Sequence, residues 1–159
     1  MSWMKKIFGT PQTSENGGPI SEFNDRMTQI KESGGVGDGH YTDSVETIKN
    51  LKREGKNTEA IELLKKCVDA TESESVKENS KSIHNDKFAF LREGRANTNW
   101  GVAPWYYEQL AILYRKEKQY EKEIEILERY EKQPKAPGIG PKKLAERLIK
   151  ARVLADKNA

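Results

Sequence analysis

Apolar residues recur at helical spacing in two stretches of the chain, residues 41–75 and 103–133. An apolar residue at every third or fourth position indicates one face of an α-helix. In the first stretch these positions are Val45, Ile48, Leu51, Ala60, Ile61, Leu64, Cys67 and Val68. In the second they are Tyr107, Leu110, Ala111, Tyr114, Tyr120, Ile124, Leu127 and Tyr130. Each stretch predicts two amphipathic helices joined by a tight turn, and the fold class is therefore expected to be all-α.

The two stretches can be superposed with an offset of 63 residues, which places Leu51 on Tyr114 and Leu64 on Leu127. Each unit of helix, turn and helix is then about 34 residues long. This length and plan resemble the tetratricopeptide repeat (TPR). The second unit matches that family better, through an aromatic residue, a Leu–Ala pair and two further aromatic residues at Tyr107, Leu110, Ala111, Tyr114 and Tyr120.

The units also depart from the family pattern. Glu123 stands where the family has a small alanine, so the second hairpin is expected to open its crossing angle, and Tyr130 replaces another small residue. Lys118 replaces the turn glycine that the first unit has as Gly55. The offset exceeds the family's repeat length of about 34 residues. An insertion at residues 82–102, rich in aromatic and polar residues, is therefore predicted between the hairpins.

A predicted TPR-like domain covers residues 41–158, and residues 1–40 are expected to form a flexible arm and glycine-rich linker. A short helical turn at residues 21–31 and an amphipathic anchor through Trp3 and Phe8 remain open for this arm. Residues 141–157 are predicted to form a capping helix. Its apolar stripe is Leu144, Leu148, Ala151 and Leu154, and its water-facing residues are Lys142, Lys143, Glu146, Arg147 and Lys150.

The resemblance implies a protein–protein interaction module, because in this family the first helix of each hairpin lines a groove that binds a peptide or partner protein. Basic pairs recur at equivalent places, Lys52–Arg53 and Arg115–Lys116. They favour an acidic ligand, or they complement the helix dipole. The family's carboxylate clamp is not carried over, because Lys49 and Ile112 replace its asparagines. The predicted contact surface is Lys49, Lys52, Arg53, Trp105, Glu108, Ile112, Arg115 and Lys116.

Four aromatic residues cluster at the start of the second unit, namely Trp100, Trp105, Tyr106 and Tyr107. Successive helical residues point about 100° apart, so three neighbours cannot all face the core. At least one is expected to be exposed or covered by the insertion. An exposed aromatic residue there would be suited to binding a partner.

Residues 137–148 look like part of a helix-hairpin-helix motif, in which glycine amides and lysines contact a phosphate. The matching residues are Gly138, Gly140, Lys142 and Lys143, although Pro134 interrupts the preceding helix. Nucleic-acid binding is therefore an alternative function, and a tight turn that aims the capping helix is the structural alternative. A third possibility is an assembly or accessory factor docked through the N-terminal arm.

Catalysis, metal binding and cofactor binding have little support in the sequence. The chain has a single cysteine, Cys67, and two histidines, His40 and His84, so no internal disulfide is possible and zinc ligands are scarce. Cys67 is expected to be a buried structural thiol in a reducing, cytoplasmic protein. The glutamates at positions 123, 125, 128 and 131 alternate with basic residues and predict a solvated helix face.

The overall charge and hydropathy narrow the partners only slightly. A net charge of +3 does not by itself indicate nucleic acid. No apolar run reaches the roughly 18–20 residues that cross a bilayer. The sequence leaves the identity of the partner and the oligomeric state open.

Overall fold

The computed structural model describes residues 19–80 and 100–159. These residues are mainly helical, which confirms the predicted all-α class. Six α-helices and one short β-hairpin are present in the described part of the chain. The elements are α1 (Pro19–Ser33), β1 (Gly35–Val36), β2 (Gly39–His40), a 3₁₀ turn (Tyr41–Ser44), α2 (Val45–Arg53), α3 (Asn57–Ser80), α4 (Pro104–Lys116), α5 (Tyr120–Glu131) and α6 (Gly140–Lys157).

The turns that join α2 to α3 and α4 to α5 have the same backbone geometry. Gly55 has a φ of 74° and Lys118 a φ of 56°, and the two positions are related by the 63-residue offset. In the first turn the Lys56 amide donates to the carbonyl of Leu51 at 2.9 Å, and the equivalent bond in the second turn is 2.8 Å long. This pattern closes a helix through one left-handed residue. The second turn therefore adopts the conformation that suits glycine without having a glycine there.

The helices pack in chain order from α2 to α6 around one continuous core. α3 contacts both α2 and α4, and α6 packs against α5 and α4. The largest fully buried side chains belong to all five helices and include Ile48, Leu64, Tyr107, Leu110, Leu127, Tyr130, Leu144 and Leu148. A single hairpin of this size could not bury its own apolar stripe, so each pair depends on its neighbour.

Residues 19–40 differ from the flexible arm and linker that the sequence predicts. α1 and the β-hairpin contact α3, and Ser33 and Gly34 are buried. The Tyr41 amide donates to the Gly34 carbonyl at 2.9 Å. A Cβ atom on Gly34 would collide with the side chains of Glu74 and His40. The glycine thus permits close packing at this position, whereas residues 1–18 lie outside the described residues.

The predicted insertion at residues 82–102 is described only at its end. α3 continues to Ser80, five residues beyond the predicted limit of the first hairpin. The Trp100 amide donates to Asn79 Oδ1 at 2.6 Å, and Val102 pairs with Lys135 in an isolated bridge. Residues 100–102 therefore return to the domain beside the end of α3. The remainder of the insertion lies outside the described residues.

Candidate functional site

The helix α4 has one buried face and one open face. Tyr106, Tyr107, Leu110, Ala111, Leu113 and Tyr114 are buried. On the other side, five side chains are partly exposed and one, that of Lys116, is exposed. We call these six residues the open face: Trp105, Glu108, Gln109, Ile112, Arg115 and Lys116. Five of these six belong to the predicted contact surface, so the structure brings those five together.

α2 joins the open face through Lys52. Its Nζ donates to the side-chain oxygen of Gln109 on α4. Burial lowers the pKa of Lys52, the nearby Lys116 ammonium lowers it further, and Glu108 opposes the shift. Lys52, Glu108 and Lys116 are therefore close enough to affect one another.

The other two predicted contact residues of α2 are not linked to the open face by the contacts that the structure records. Lys49 Nζ pairs with Glu46 at 3.2 Å, and Arg53 donates to Asn50 Oδ1 at 3.0 Å. Both contacts are local to α2 and exposed to solvent. Lys49 and Arg53 consequently lie beside the candidate site, while Lys52 reaches into it.

α6 completes the open face on the opposite side. Lys143 Nζ lies 2.7 Å from Glu108 Oε1, so this lysine pairs with a carboxylate of α4. Arg147, one helical turn further along α6, lies 3.3 Å from Glu123. The prediction that Arg147 points to water is wrong, because only 21% of its side chain is exposed. The capping helix α6 therefore places Lys143 and Arg147 beside the open face, in addition to packing its apolar side chains into the core.

Glu123 of α5 is fully buried, so the predicted solvated face is wrong at this position. Its Oε2 accepts a hydrogen bond from Arg115 Nε at 3.0 Å, and its Oε1 lies 2.8 Å from Arg115 Nη2. The burial follows from helical spacing. Glu123 shares a face of α5 with the buried residues Ile126, Leu127 and Tyr130, at i+3, i+4 and i+7. That spacing was available in the sequence and would have identified Glu123 as an inward-facing residue.

The cluster of Arg115, Glu123 and Arg147 has more positive than negative charge. Burial lowers the pKa of the Arg147 guanidinium, and the neighbouring Arg115 adds to that effect. Arg147 Nε is buried and has no hydrogen-bond acceptor among the described residues. One carboxylate therefore serves two guanidinium groups, whose donors are not all used.

The aromatic cluster is mostly internal. Tyr106 and Tyr107 are buried, and their hydroxyls donate to the Tyr41 carbonyl at 3.1 Å and to Glu72 Oε1 at 2.6 Å. Trp100 Nε1 donates to Glu74 Oε1 at 2.9 Å. Trp105 is partly exposed, with its ring centroid 5.1 Å from that of Tyr106. Of the three neighbours, Trp105 is therefore the one that stays partly exposed, on the open face, while it packs against the edge of the core.

The glycines at residues 137–148 are explained by local packing. Gly138 has a φ of 142°, which favours glycine, and a Cβ atom on Gly140 would lie 2.7 Å from Pro104 Cγ. Of the two lysines considered for phosphate binding, Lys143 is paired with Glu108 and Lys142 is exposed. This segment turns the chain closely around the start of α4 and directs α6 onto the domain.

Cys67 is buried on the apolar stripe of α3, as predicted, and burial raises the pKa of its thiol. Within residues 19–80 and 100–159, no group of three or more His, Cys, Asp or Glu side chains is arranged to hold a metal ion. None of the helices in these two ranges has the length and apolar character that a membrane crossing requires. Comparison with family models, with curated proteins and with solved structures gives no match for this chain.

Proposed function

We propose that this chain is a non-catalytic, TPR-like protein-interaction module that binds a peptide or partner protein on the open face. One observation carries this proposal. The side chains of α4 that do not enter the core form a continuous surface with Lys52 of α2 and with Lys143 and Arg147 of α6. This surface draws on α2, α4 and α6, which are alternate helices of the same core.

The composition of the open face also supports binding to protein. Trp105 and Ile112 offer partly exposed apolar area, and charged side chains surround them. Protein interfaces combine an apolar centre with a polar rim in this way, and tryptophan and arginine are frequent among their strongest contacts. Much of the face is held by contacts between helices, so binding would require little reorganisation.

The proposal is tested by affinity capture from the native host, using the full chain and two matched variants. Ile112→Asp places a charge at the centre of the open face. Val76→Asp makes the same change at a position on α3 that is 67% exposed and does not belong to that face. Partners captured by the wild type and by Val76→Asp are expected to be lost with Ile112→Asp.

Circular dichroism is the control for folding, and both variants are expected to retain the helicity of the wild type. Equal capture by the two variants would contradict the proposal. Arg115→Glu is unsuitable for this purpose, because it would place a second carboxylate against the buried Glu123 and disturb the fold itself.

A further inference from the structure

The two helical pairs, α2 with α3 and α4 with α5, differ most clearly at Glu123. The 63-residue offset relates Glu123 to Ala60, and both residues are fully buried. The same offset relates Arg115 to Lys52, whose Nζ donates to the side-chain oxygen of Gln109. The second pair therefore places a carboxylate where the first pair has only a methyl group.

A buried carboxylate is unfavourable unless it is paired and hydrogen-bonded. Glu123 accepts a hydrogen bond at its Oε2 from Arg115 Nε of α4, and its Oε1 forms ion pairs with Arg115 at 2.8 Å and with Arg147 of α6 at 3.3 Å. The result is that two guanidinium groups are held in fixed positions at the edge of the open face. They keep 33% and 21% of their side-chain surface exposed, although Arg115 Nη2 and Arg147 Nε are themselves buried. Solvent or a ligand can therefore reach only the exposed part of each side chain.

The charges around this pair are not balanced. Among the described residues, the cations at this edge are Lys52, Arg115, Lys116, Lys143 and Arg147, and the carboxylates are Glu108 and Glu123. Arg147 Nε also lacks an acceptor. Guanidinium groups bind carboxylates through paired hydrogen bonds, and such bonds are stronger than those between neutral groups. Arg147 Nε is itself buried, so an incoming carboxylate would meet the exposed part of these side chains and would reduce the repulsion between the cations.

We propose that Glu123 organises Arg115 and Arg147 into a binding site for a carboxylate of an acidic, partly apolar segment of the partner protein. This inference rests on the proposed function and names the chemistry of its ligand. An acidic peptide fits better than a nucleic acid because Trp105 and Ile112, which are partly exposed, supply apolar contacts that a peptide side chain can use.

Fluorescence anisotropy with a defined probe tests this inference on the full chain. The probe is a fluorescein-labelled peptide of glutamates around two leucines, and its control has glutamine in place of every glutamate. The wild type is expected to bind the glutamate peptide at least about tenfold more tightly than the glutamine peptide. Arg147→Gln is expected to remove most of this difference. The control variant is Arg152→Gln. Arg152 lies further along α6 and pairs with Glu128 of α5, so this variant should preserve the difference between the two peptides.

Equal loss of peptide binding in Arg147→Gln and Arg152→Gln would overturn the proposal, as would equal binding of the two peptides. A labelled single-stranded oligonucleotide of the same charge is the third probe. Tighter binding of this oligonucleotide than of the glutamate peptide, with loss in Arg147→Gln, would also overturn the proposal, because the ligand would then be a nucleic acid.

A measurement on the wild type covers the case in which Arg147→Gln fails to fold. In the ¹H–¹⁵N spectrum, the Nε–Hε signals of Arg115 and Arg147 should shift as the glutamate peptide is added, while that of Arg152 stays fixed. Unchanged signals would refute the proposal. A different result would contradict the proposed function, namely partner capture that is unaffected by Ile112→Asp. If capture depends on Ile112 but peptide binding does not depend on Arg147, only the carboxylate site is wrong.

Discussion

Glu123→Gln is the substitution whose effect follows most directly from the structure. Glutamine preserves the volume of the side chain and removes its charge. Removing one partner of a fully buried ion pair costs about 3–5 kcal/mol, because the remaining charge stays buried without compensation. Here the remaining groups are Arg115 and Arg147, which retain 33% and 21% of their side-chain exposure and can regain part of their hydration. We therefore expect a smaller loss, about 2–3 kcal/mol in the free energy of unfolding.

Urea unfolding followed by circular dichroism measures this loss as a lower midpoint with an unchanged m-value. In a chain of this size, each 1 kcal/mol corresponds to roughly 2–4 °C in Tm, so thermal unfolding should shift by about 4–12 °C. Glu125→Gln is the matched control, since Glu125 lies on the same helix and is exposed. It should change stability by less than about 0.5 kcal/mol. Equal stability of the two variants would refute the claim that Glu123 compensates two partly buried cations.

A triple variant separates compensation of charge from stabilisation by the ion pairs themselves. Arg115→Met, Glu123→Leu and Arg147→Met together replace the whole cluster with apolar side chains of similar volume. Such replacements are often neutral or stabilising. The triple variant should therefore be more stable than Glu123→Gln alone. A triple variant that is less stable than Glu123→Gln would show that the ion pairs stabilise the fold directly.

Three further predictions concern the turns, the tyrosines and the N-terminal hairpin. Lys118→Gly should stabilise the domain by about 0.5–1 kcal/mol, because Lys118 has a positive φ, and Gly55→Ala should destabilise it by about 1 kcal/mol. A lower urea midpoint for Lys118→Gly, or a higher one for Gly55→Ala, would contradict the shared turn geometry. Burial raises the pKa values of Tyr41 and Tyr130 to about 12. Tyrosines in the unfolded chain lose their protons near pH 10, while these two keep theirs in the folded protein. The free energy of unfolding should therefore be steady below about pH 9 and fall as the pH rises from 10 to 12. Urea midpoints that stay constant up to pH 12 would show that burial does not raise these two pKa values. Gly34→Ala should destabilise the domain by about 1–3 kcal/mol through its clash with Glu74 and His40, and an unchanged thermal midpoint would show that the hairpin does not pack on α3.

The helices and turns could be predicted from sequence because they depend on local rules. The helical spacing of apolar residues located α2 to α6, and the 63-residue offset relates the ends of α2 and α4 as well as the starts of α3 and α5. The burial of Cys67 followed from its place in an apolar stripe. Lys118 shows that the superposition of the two units holds even where the residue type does not favour the required backbone conformation.

The environment of charged and small residues was harder to predict, because it depends on contacts that are distant in sequence. The helical spacing of Glu123 indicates an inward-facing residue, but its partners Arg115 and Arg147 lie on two other helices and could not be deduced from that spacing. The glycines near the N-terminus indicated a linker by composition. Gly34 is instead buried against Glu74, which lies 40 residues further along the chain. Composition alone did not distinguish flexibility from close packing.

Site-specific photo-crosslinking tests the central claim, which is that the open face of α4 binds a partner protein. A photoreactive phenylalanine derivative is introduced at Ile112 in one variant and at Val76 in another, and each full-length chain is expressed in the native host. After irradiation, the variant at Ile112 is expected to yield a discrete crosslinked species with another polypeptide, and the exposed position on α3 is not. Crosslinks of equal yield at both positions, or crosslinks from Val76 alone, would contradict the assignment of this face as the binding surface.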